Sequence, residues 1–427
     1  MTTTDQTPPA AYFGSLTIEN VKCFKGEHTI DLSDGNSKPA MWTVILGNNN
    51  MGKTTILRCL ADLEAILDPN EEDDENIVSP AASIKFFNNL IHNFGRVSAS
   101  ILLNNKANDE FERYENWNFH INKAKFRSSI ITTDSDYTEL GGFIIYGYGT
   151  SRKMSNTSLL ETENQYNTAN LFDDTASLIN AEEWIIQIDY AIKNGIESAK
   201  FRLNKIKEIL TNGLLPDVKD FRCTSQEINN QIKNFVEFKT DYGWVKLKEL
   251  GYGYQVTLAW IVDLAKKLFE RYPNSENPLH EPAIVLVDEL DLHLHPEWQR
   301  KIISFLSKQF PKTQFIATTH SPLIIQSADN INLVILEKQD DHVIIKQPDI
   351  KTFKGWTVDE ILTELMGLDD KTLSDDYLKL IKQFDDALDN DNYQQAKNAY
   401  DELDKILHPN SHQRKLLRIQ MASLSRD

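Results

Sequence analysis

One short segment near the amino terminus constrains the fold of this chain more than any other part of the sequence. Residues 47–54 read Gly-Asn-Asn-Asn-Met-Gly-Lys-Thr and match G-x-x-x-x-G-K-[ST] without a mismatch. The apolar run Met41–Leu46 predicts a buried strand before it, and a helical pattern follows it. Glycines let successive backbone N–H groups point at phosphate oxygens, and the helix N-terminus adds its dipole. The segment therefore predicts a phosphate-binding loop between a strand and a helix.

The chemistry of such a loop assigns a role to each side chain that follows the second glycine. Lys53 would reach the β- and γ-phosphates, the Thr54 hydroxyl would coordinate Mg²⁺, and Thr55 could donate to the α-phosphate. We expect the nucleotide to be held by Gly47, Asn48, Asn49, Asn50, Met51, Gly52, Lys53, Thr54 and Thr55.

A second apolar strand is predicted to end in two carboxylates. The run Ala283–Val287 leads into Asp288 and Glu289, so a parallel sheet would bring both acids beside the phosphate loop. Asp288 would then hold a metal-bound water, and Glu289 would polarise the water that attacks the γ-phosphate.

Three histidines lie near these acids and raise the question of a zinc site. His293 and His295 alternate with leucines, and no zinc-type spacing is present, which disfavours a zinc centre. His320 follows the apolar strand QFIATT, where a neutral imidazole could hydrogen-bond the γ-phosphate or the attacking water.

The segment Leu250–Gln255, LGYGYQ, precedes a long helical pattern and makes a family resemblance specific. The chain resembles the ABC-type ATPase heads shared by RecF, the SMC proteins and related repair ATPases, whose signature reads L-S-x-G-[GYEQ]-Q. The resemblance implies ATP and Mg²⁺ as cofactors and a role for Gly251 and Gly253 at the nucleotide of a second subunit. Gly251 replaces the signature serine, so one hydrogen bond to the γ-phosphate is lost and slow turnover is expected.

The resemblance also implies the fold class and the domain organisation. We expect an α/β, ABC-type ATPase head with a mixed, largely parallel sheet, a helical lobe inserted between the Walker A loop and the signature, and C-terminal helices. The predicted boundaries are an irregular start at 1–15, a head at 16–350 with the lobe at about 150–235, and a helical region at 351–427. Shorter strands and loops are predicted for 84–140, and a surface excursion for 152–180.

Composition limits the classes of partner and compartment. The chain has 45 Lys and Arg against 63 Asp and Glu, a net charge of −18, which excludes a uniformly basic nucleic-acid binder. Its 3 cysteines are too scattered for a disulfide framework, and no apolar run is long enough to span a membrane. The acidic run Glu71–Glu75 predicts a solvated loop. These features predict a cytoplasmic protein that does not enter a membrane.

Two motifs narrow the resemblance. YGYGTSRK at 146–153 and DELDLHLHPEWQ at 288–299 resemble the PtuA-type ATPases of Septu antiphage systems, which work with the HNH nuclease PtuB. This resemblance implies an ATPase that regulates or scaffolds a PtuB-like HNH nuclease, contacts nucleic acid through that partner, and forms a dimer or a larger even homo-oligomer. The alternative is a RecF-like repair or DNA-end-binding ATPase acting directly on nucleic acid. Lys123, Lys125 and Arg127 offer only a small basic patch for this alternative.

The tail is acidic and amphipathic. Residues 369–391 contain 8 Asp and 3 Lys beside an apolar stripe that includes Tyr377, Phe384 and Leu388. Two interpretations remain open: the stripe packs against the head, or the tail docks the partner.

Overall fold

The computed structural model describes most of the chain as two compact units. The described residues are 10–63, 66–67, 77–78, 91–105, 110–122, 143–155, 166–211, 215, 217–368 and 373–424. The division between the units falls after Trp356, six residues beyond the predicted boundary at 350 (356 against 350). The predicted solvated loop Glu71–Glu75 and the small basic patch of Lys123, Lys125 and Arg127 lie outside the described residues.

The first unit alternates strands with helices, and the second is helical. The strands are β1 Ala11–Val21, β2 Glu27–Asp31, β3 Trp42–Leu46, β4 Ile66–Leu67, β5 Ile77–Val78, β6 Ile91–Asn105, β7 Glu110–Asn122, β8 Ile145–Tyr148, β9 Asp220–Ile228, β10 Gln231–Thr240, β11 Gly243–Lys246, β12 Ala283–Val287, β13 Thr313–Thr318, β14 Asn332–Gln339 and β15 His342–Lys346. The α-helices are α1 Lys53–Ala61, α2 Ala169–Phe172, α3 Ala181–Lys193, α4 Glu197–Ile209, α5 Tyr252–Arg271, α6 Pro296–Gln299, α7 Ile302–Gln309, α8 Pro322–Ser327, α9 Val358–Glu360, α10 Asp375–Asp389, α11 Tyr393–Ile406 and α12 His412–Leu424.

A six-stranded sheet in the order β15-β14-β3-β13-β12-β8 positions the site. The strands from β14 to β8 are parallel, and β15 pairs antiparallel with β14 at the edge. β3, β8, β12 and β13 are buried along their whole length, as expected of strands covered on both faces. Because parallel strands end at the same edge, the segments that follow β3, β8, β12 and β13 meet there. The predicted mixed, largely parallel sheet is confirmed.

A four-stranded antiparallel sheet in the order β2-β1-β6-β7 differs from the prediction of shorter strands at 84–140. β6 and β7 form one long hairpin, and β6 pairs with β1 at the start of the chain. The buried residues Val97, Ala99 and Ile101 alternate along β6 and pack into the same core as β1. The interruptions in the local pattern hid this hairpin, because its length depends on pairing with a strand some 80 residues earlier (Val97 with Ile18).

The predicted irregular start at 1–15 is wrong from residue 11 onward, because β1 begins at Ala11. The side-chain amide of Gln314 explains the extension. It accepts a 2.9 Å hydrogen bond from Phe13 N–H and donates one of 2.9 Å to the Phe13 carbonyl. This contact joins β1 to β13 and could not be read from the local sequence.

The insertion before the signature is helical first and stranded afterwards. Helix α3 begins at the Asn180 cap, which accepts from Glu183 N–H, and it buries Trp184, Ile185 and Ile188. The strands β9, β10 and β11 then form a separate antiparallel sheet, as the sequence predicts for residues 221–228 and 234–247, so the helical part of the insertion ends before Asp220.

The predicted surface excursion at 152–180 is wrong for two of its described polar residues, Arg152 and Asn170, which are buried. Arg152 is 1% exposed and Asn170 is 4% exposed. Asn170 accepts a hydrogen bond from Gly149 N–H and donates to the carbonyl of Ala176, so its polarity serves the interior rather than solvent.

The second unit, 357–427, has its own core. α10, α11 and α12 bury Phe384, Ala387, Ala396, Ala399, Leu403, Leu417 and Met421. Tyr377, Leu380, Ile381 and Leu388 of the predicted apolar stripe pack against this core. The stripe is therefore engaged by helices of its own unit. No helix in the described ranges of either unit is long and apolar enough to cross a bilayer.

Candidate nucleotide-binding site

The loop after β3 has the backbone that its glycines predict. Gly47 has φ 156° and Gly52 has φ 89°, both in the region that favours glycine. A Cβ at Gly52 would lie 2.7 Å from the Phe24 ring and 2.8 Å from Cys23 Sγ. The packing of Phe24 and Cys23 thus excludes a side chain at this turn, and helix α1 begins directly at Lys53.

Lys53 is folded over the loop. Its Nζ donates to the carbonyls of Gly47 at 2.8 Å and Asn48 at 3.0 Å, and the residue is 7% exposed. Burial lowers the pKa of Lys53 from its usual value, while the carboxylates of Asp288 and Glu289 act in the opposite direction. Among the described residues the ammonium is held by these neutral carbonyls alone, so its charge is available to a phosphate.

A hydroxyl–carboxylate–hydroxyl cluster joins the start of helix α1 to the ends of the parallel strands β12 and β13. Thr54 Oγ1 donates to Asp288 Oδ2 at 2.6 Å, and Thr318 Oγ1 donates to Asp288 Oδ1 at 2.6 Å. Asp288 is 4% exposed. Hydroxyl and carboxylate oxygens are ligands that hard divalent cations prefer, so Thr54 and Asp288 fit a metal beside the loop.

Glu289 follows with a backbone that few residues adopt. Its φ is 49°, and its N–H donates to Thr318 Oγ1 at 2.7 Å. Within the part of the chain that the structure describes, its carboxylate makes no hydrogen bond or ion pair. A carboxylate without a protein partner can accept a proton from water.

His320 lies at the end of β13 as predicted and is oriented through its backbone. Asp291 Oδ1 accepts from His320 N–H at 3.1 Å and from Thr319 Oγ1 at 2.5 Å. The His320 Nε2 atom is buried and has no hydrogen-bond partner among the residues that the structure describes. Because buried polar atoms are nearly always paired, this atom fits a site that receives a ligand or an ordered water.

The signature segment packs against the segment that follows Asp288 and Glu289. Gly251 caps the N-terminus of α5, and a Cβ there would meet only Tyr254 Cδ2, at 3.6 Å. A Cβ at Gly253 would lie 2.3 Å from the carbonyl oxygen of His293, and the Tyr252 and His293 rings meet edge to face at 4.9 Å. A cleft of about 420 Å³ opens here, lined by Gly251, Gly253, Tyr254, His293, His295 and Trp298, among others.

Sequence reasoning missed Arg152, which is part of the same cluster. It follows β8, and its Nη2 donates to the carbonyls of Asp288 at 3.3 Å and Glu289 at 2.8 Å. Burial lowers its pKa to about 10, against the opposing effect of Asp288, Asp291 and Glu289. The motif YGYGTSRK could have indicated this position. It contains the end of β8, which lies at the same sheet edge as β12, so the residues after β8 reach the site.

The region from β3 to α8 matches a protein-family model described as "AAA domain, putative AbiEii toxin, Type IV TA system" over residues 42–326. The chain belongs to this AAA domain family. The prediction of an ATPase is thereby confirmed at the level of class, and with it nucleotide binding beside a divalent metal.

Individual relatives of this AAA domain are named as Septu and retron proteins. The chain is 39% identical over 192 residues to the Septu protein PtuA of Bacillus thuringiensis, covering 44% of this chain and 48% of that protein. It is 27% identical over 363 residues to PtuA of Bacillus mycoides (strain KBAB4), covering 84% of this chain and 45% of that protein. It is 28% identical over 282 residues to the retron Vc95 probable ATPase of Vibrio cholerae, covering 65% and 48%. The resemblance to PtuA-type ATPases is confirmed, and the chain spans about half the length of these relatives.

The two signature glycines of the AAA domain give a matched test. Gly253→Ser should lower the melting temperature, because the new Cβ overlaps a backbone carbonyl; overpacking of this kind costs about 1–3 kcal/mol. Gly251→Ser adds the same atoms at a helix N-cap with room for them, so its melting temperature should be unchanged or higher. Thermal unfolding of both variants compares the two directly. Equal melting temperatures would contradict the Gly253–His293 contact.

Proposed function

We propose that this chain binds ATP with Mg²⁺, hydrolyses it slowly, and regulates or scaffolds a separate HNH nuclease in antiphage defence. The observation that carries the proposal is the 2.6 Å contact between Thr54 Oγ1 and Asp288 Oδ2, which joins the phosphate loop to the strand-end acid. The likeness to Septu PtuA proteins supports the defence context and the nuclease partner.

In the proposed mechanism the phosphate loop binds the nucleotide, and the residues at the strand ends activate the attacking water. The backbone N–H groups of residues 47–55 and the Lys53 ammonium hold the phosphates. Thr54 and Asp288 would hold the metal, which when bound would offset negative charge on the phosphate oxygens. Glu289 takes the proton of the attacking water, and the unpaired Nε2 of His320 orients that water or the γ-phosphate.

Slow hydrolysis is proposed because Gly251 has no hydroxyl. A hydrogen bond to a charged acceptor contributes about 1.5–3 kcal/mol, so its absence corresponds to roughly tenfold or more in rate if the bond forms in the transition state. The N–H groups of Gly251 and Gly253 remain at the N-terminus of α5, where the helix dipole still favours an anion.

A complete site is proposed to need two chains. The signature glycines line their own cleft with His293 and His295, and ABC-type heads use this surface at the nucleotide of the opposite subunit. A head-to-tail pair related by a twofold axis satisfies both sites at once, which gives a dimer or a larger even assembly.

The C-terminal unit, 357–427, is proposed to dock the nuclease. Its helix α10 exposes Asp375, Asp376, Asp385, Asp386 and Asp389. Ile406, Leu416 and Ile419 are 55%, 58% and 66% exposed and add apolar contact area. A partner that cuts DNA is expected to be basic, so opposite charge would steer it toward this unit.

One surface favours direct binding of nucleic acid as the second candidate function. One face of the β9–β10–β11 sheet carries Arg222, Lys233, Lys239 and Lys246, of which Arg222 pairs with Glu237 at 2.8 Å. The Arg222 guanidinium lies 4.2 Å from the centre of the Trp244 ring. Cations beside an exposed aromatic ring are typical of surfaces that bind single-stranded nucleic acid.

Lys53→Ala should abolish useful ATP binding, because the ammonium supplies the main charge opposite the phosphates. Loss of charge-assisted hydrogen bonds worth about 1.5–3 kcal/mol each predicts a Kd raised at least about a hundredfold. Isothermal titration measures it. Lys346→Ala removes an exposed lysine that pairs with Glu337 and should bind ATP normally. Unchanged affinity in the Lys53 variant would overturn the site.

Glu289→Gln should bind ATP and fail to hydrolyse it, because the amide keeps the shape of the side chain but cannot take a proton. General-base catalysis contributes on the order of 10²–10⁴-fold, which sets the expected loss in kcat. Phosphate release measures turnover, and light scattering with ATP reports whether the stalled form is an even oligomer. Glu270→Gln, which affects an exposed glutamate paired with Lys266, is the control. If the Glu289 variant hydrolyses ATP at the native rate, Glu289 is not the general base.

Removal of residues 369–427 should leave ATP binding intact and prevent co-purification of the nuclease. Asn at Asp375, Asp376, Asp385 and Asp386 should weaken the same interaction without unfolding the unit, since exposed substitutions usually change stability by less than about 0.5 kcal/mol. Asn at the exposed Asp340 and Asp349 is the matched control.

If the truncated chain still co-purifies with the nuclease, the docking surface lies elsewhere. DNA cleavage by the purified chain alone would reject the regulator. Binding of labelled single-stranded DNA, lost when Lys233 and Lys239 are reversed to Glu, would favour the second candidate.

A further inference from the structure

Arg152 is a buried cation that is held without a carboxylate. Its residue is 1% exposed, and within the described ranges the guanidinium forms no ion pair. Its hydrogen bonds go to the backbone carbonyls of Asp288 and Glu289, and its Nε atom is buried without a partner. Burying a charge in this way is costly, so the arginine is a poor choice if packing were its sole purpose.

The two carbonyls that Arg152 binds belong to residues with assigned chemistry. Glu289 has φ 49°, a conformation that costs free energy for any residue with a Cβ. Its peptide groups are held on both sides: the N–H donates to Thr318 Oγ1 at 2.7 Å, and the carbonyl accepts from Arg152 Nη2 at 2.8 Å. The direction of the Glu289 side chain follows from this backbone, since nothing described binds its carboxylate.

We infer that Arg152 is a positioning residue for hydrolysis: by binding the Glu289 carbonyl it holds the peptide in the left-handed conformation that aims the carboxylate. This role rests on the proposed function of Glu289 as the base. Arg152 acts through the backbone of Glu289. It should therefore leave nucleotide binding unchanged and affect only the position of the carboxylate that takes the proton of the attacking water. A shift of about 1 Å in a reacting group can lower a rate on the order of a hundredfold, which sets the scale of its effect.

The test is a double-mutant cycle between Arg152→Met and Glu289→Gln. Arg152→Met fills the volume but donates no hydrogen bond, so kcat should fall roughly tenfold to a hundredfold with ATP affinity unchanged. In the Glu289→Gln background, which already lacks the base, Arg152→Met should cause no further loss. Arg152→Lys keeps the charge and can reach one carbonyl, so it should restore part of the rate.

Two controls separate positioning from a general effect on folding. Arg202→Met removes a half-buried arginine that lies 5.8 Å from the centre of the Phe269 ring, and kcat should not change. Hydrogen–deuterium exchange should quicken at residues 288–292 in Arg152→Met and stay unchanged elsewhere. This readout needs no hydrolysis and also applies to Arg152→Lys if the methionine variant does not fold.

Three results would overturn the inference. These are native kcat in Arg152→Met, a further loss of rate in the double variant, and unchanged exchange at 288–292. A wild-type protein that binds ATP but never hydrolyses it would instead reject the proposed turnover, and exchange alone would then decide whether Arg152 holds the Glu289 peptide.

Discussion

The hydroxyl of Thr318 connects the two acids on which the site depends. It donates its single proton to Asp288 Oδ1 and must therefore act as the acceptor for Glu289 N–H. The parallel register that pairs Val287 with Ala317 brings the ends of β12 and β13 together and makes both bonds possible. A slip of one residue would turn Thr318 to the other face of the sheet, and both contacts would be lost. The register of β12 and β13 is thus the constraint that places Thr318 between the two acids at the end of the sheet.

Neutral groups satisfy the charges at this edge, which has an electrostatic consequence. Lys53 is held by two carbonyls, Asp288 by two hydroxyls and Arg152 by two carbonyls, and all three are buried. Among the described residues no ion pair joins them. Neutral partners remove the penalty for an unpaired group without cancelling its charge. The site therefore offers an intact cation to phosphate and an intact anion to a metal.

The sequence predicted the loop, the acid pair and the sheet because each is a local pattern: glycines at fixed spacing, or an apolar run that ends in carboxylates. It missed what depends on distant partners. β1 begins earlier than predicted because Gln314, some 300 residues away, holds Phe13 in the strand. No local pattern could indicate that contact. Arg152 was assigned to a surface excursion because residues 152–180 are rich in Asn, Thr and Ser. Its burial follows from β8 pairing with β12, which composition does not reveal.

The segment from Glu289 to His293, which packs against the signature helix, carries strain at both ends. Glu289 has φ 49° and His293 has φ 66°, and neither is a glycine. Arg152 and Thr318 hold the first, while Gly253 and Tyr252 contact the second. Such a turn persists only while both sets of contacts hold it. If the signature helix serves the nucleotide of a second chain, a change there would be transmitted through His293 to the base of the first. The glycine at 253 is then required for this connection, because a Cβ at this position would overlap the carbonyl oxygen of His293.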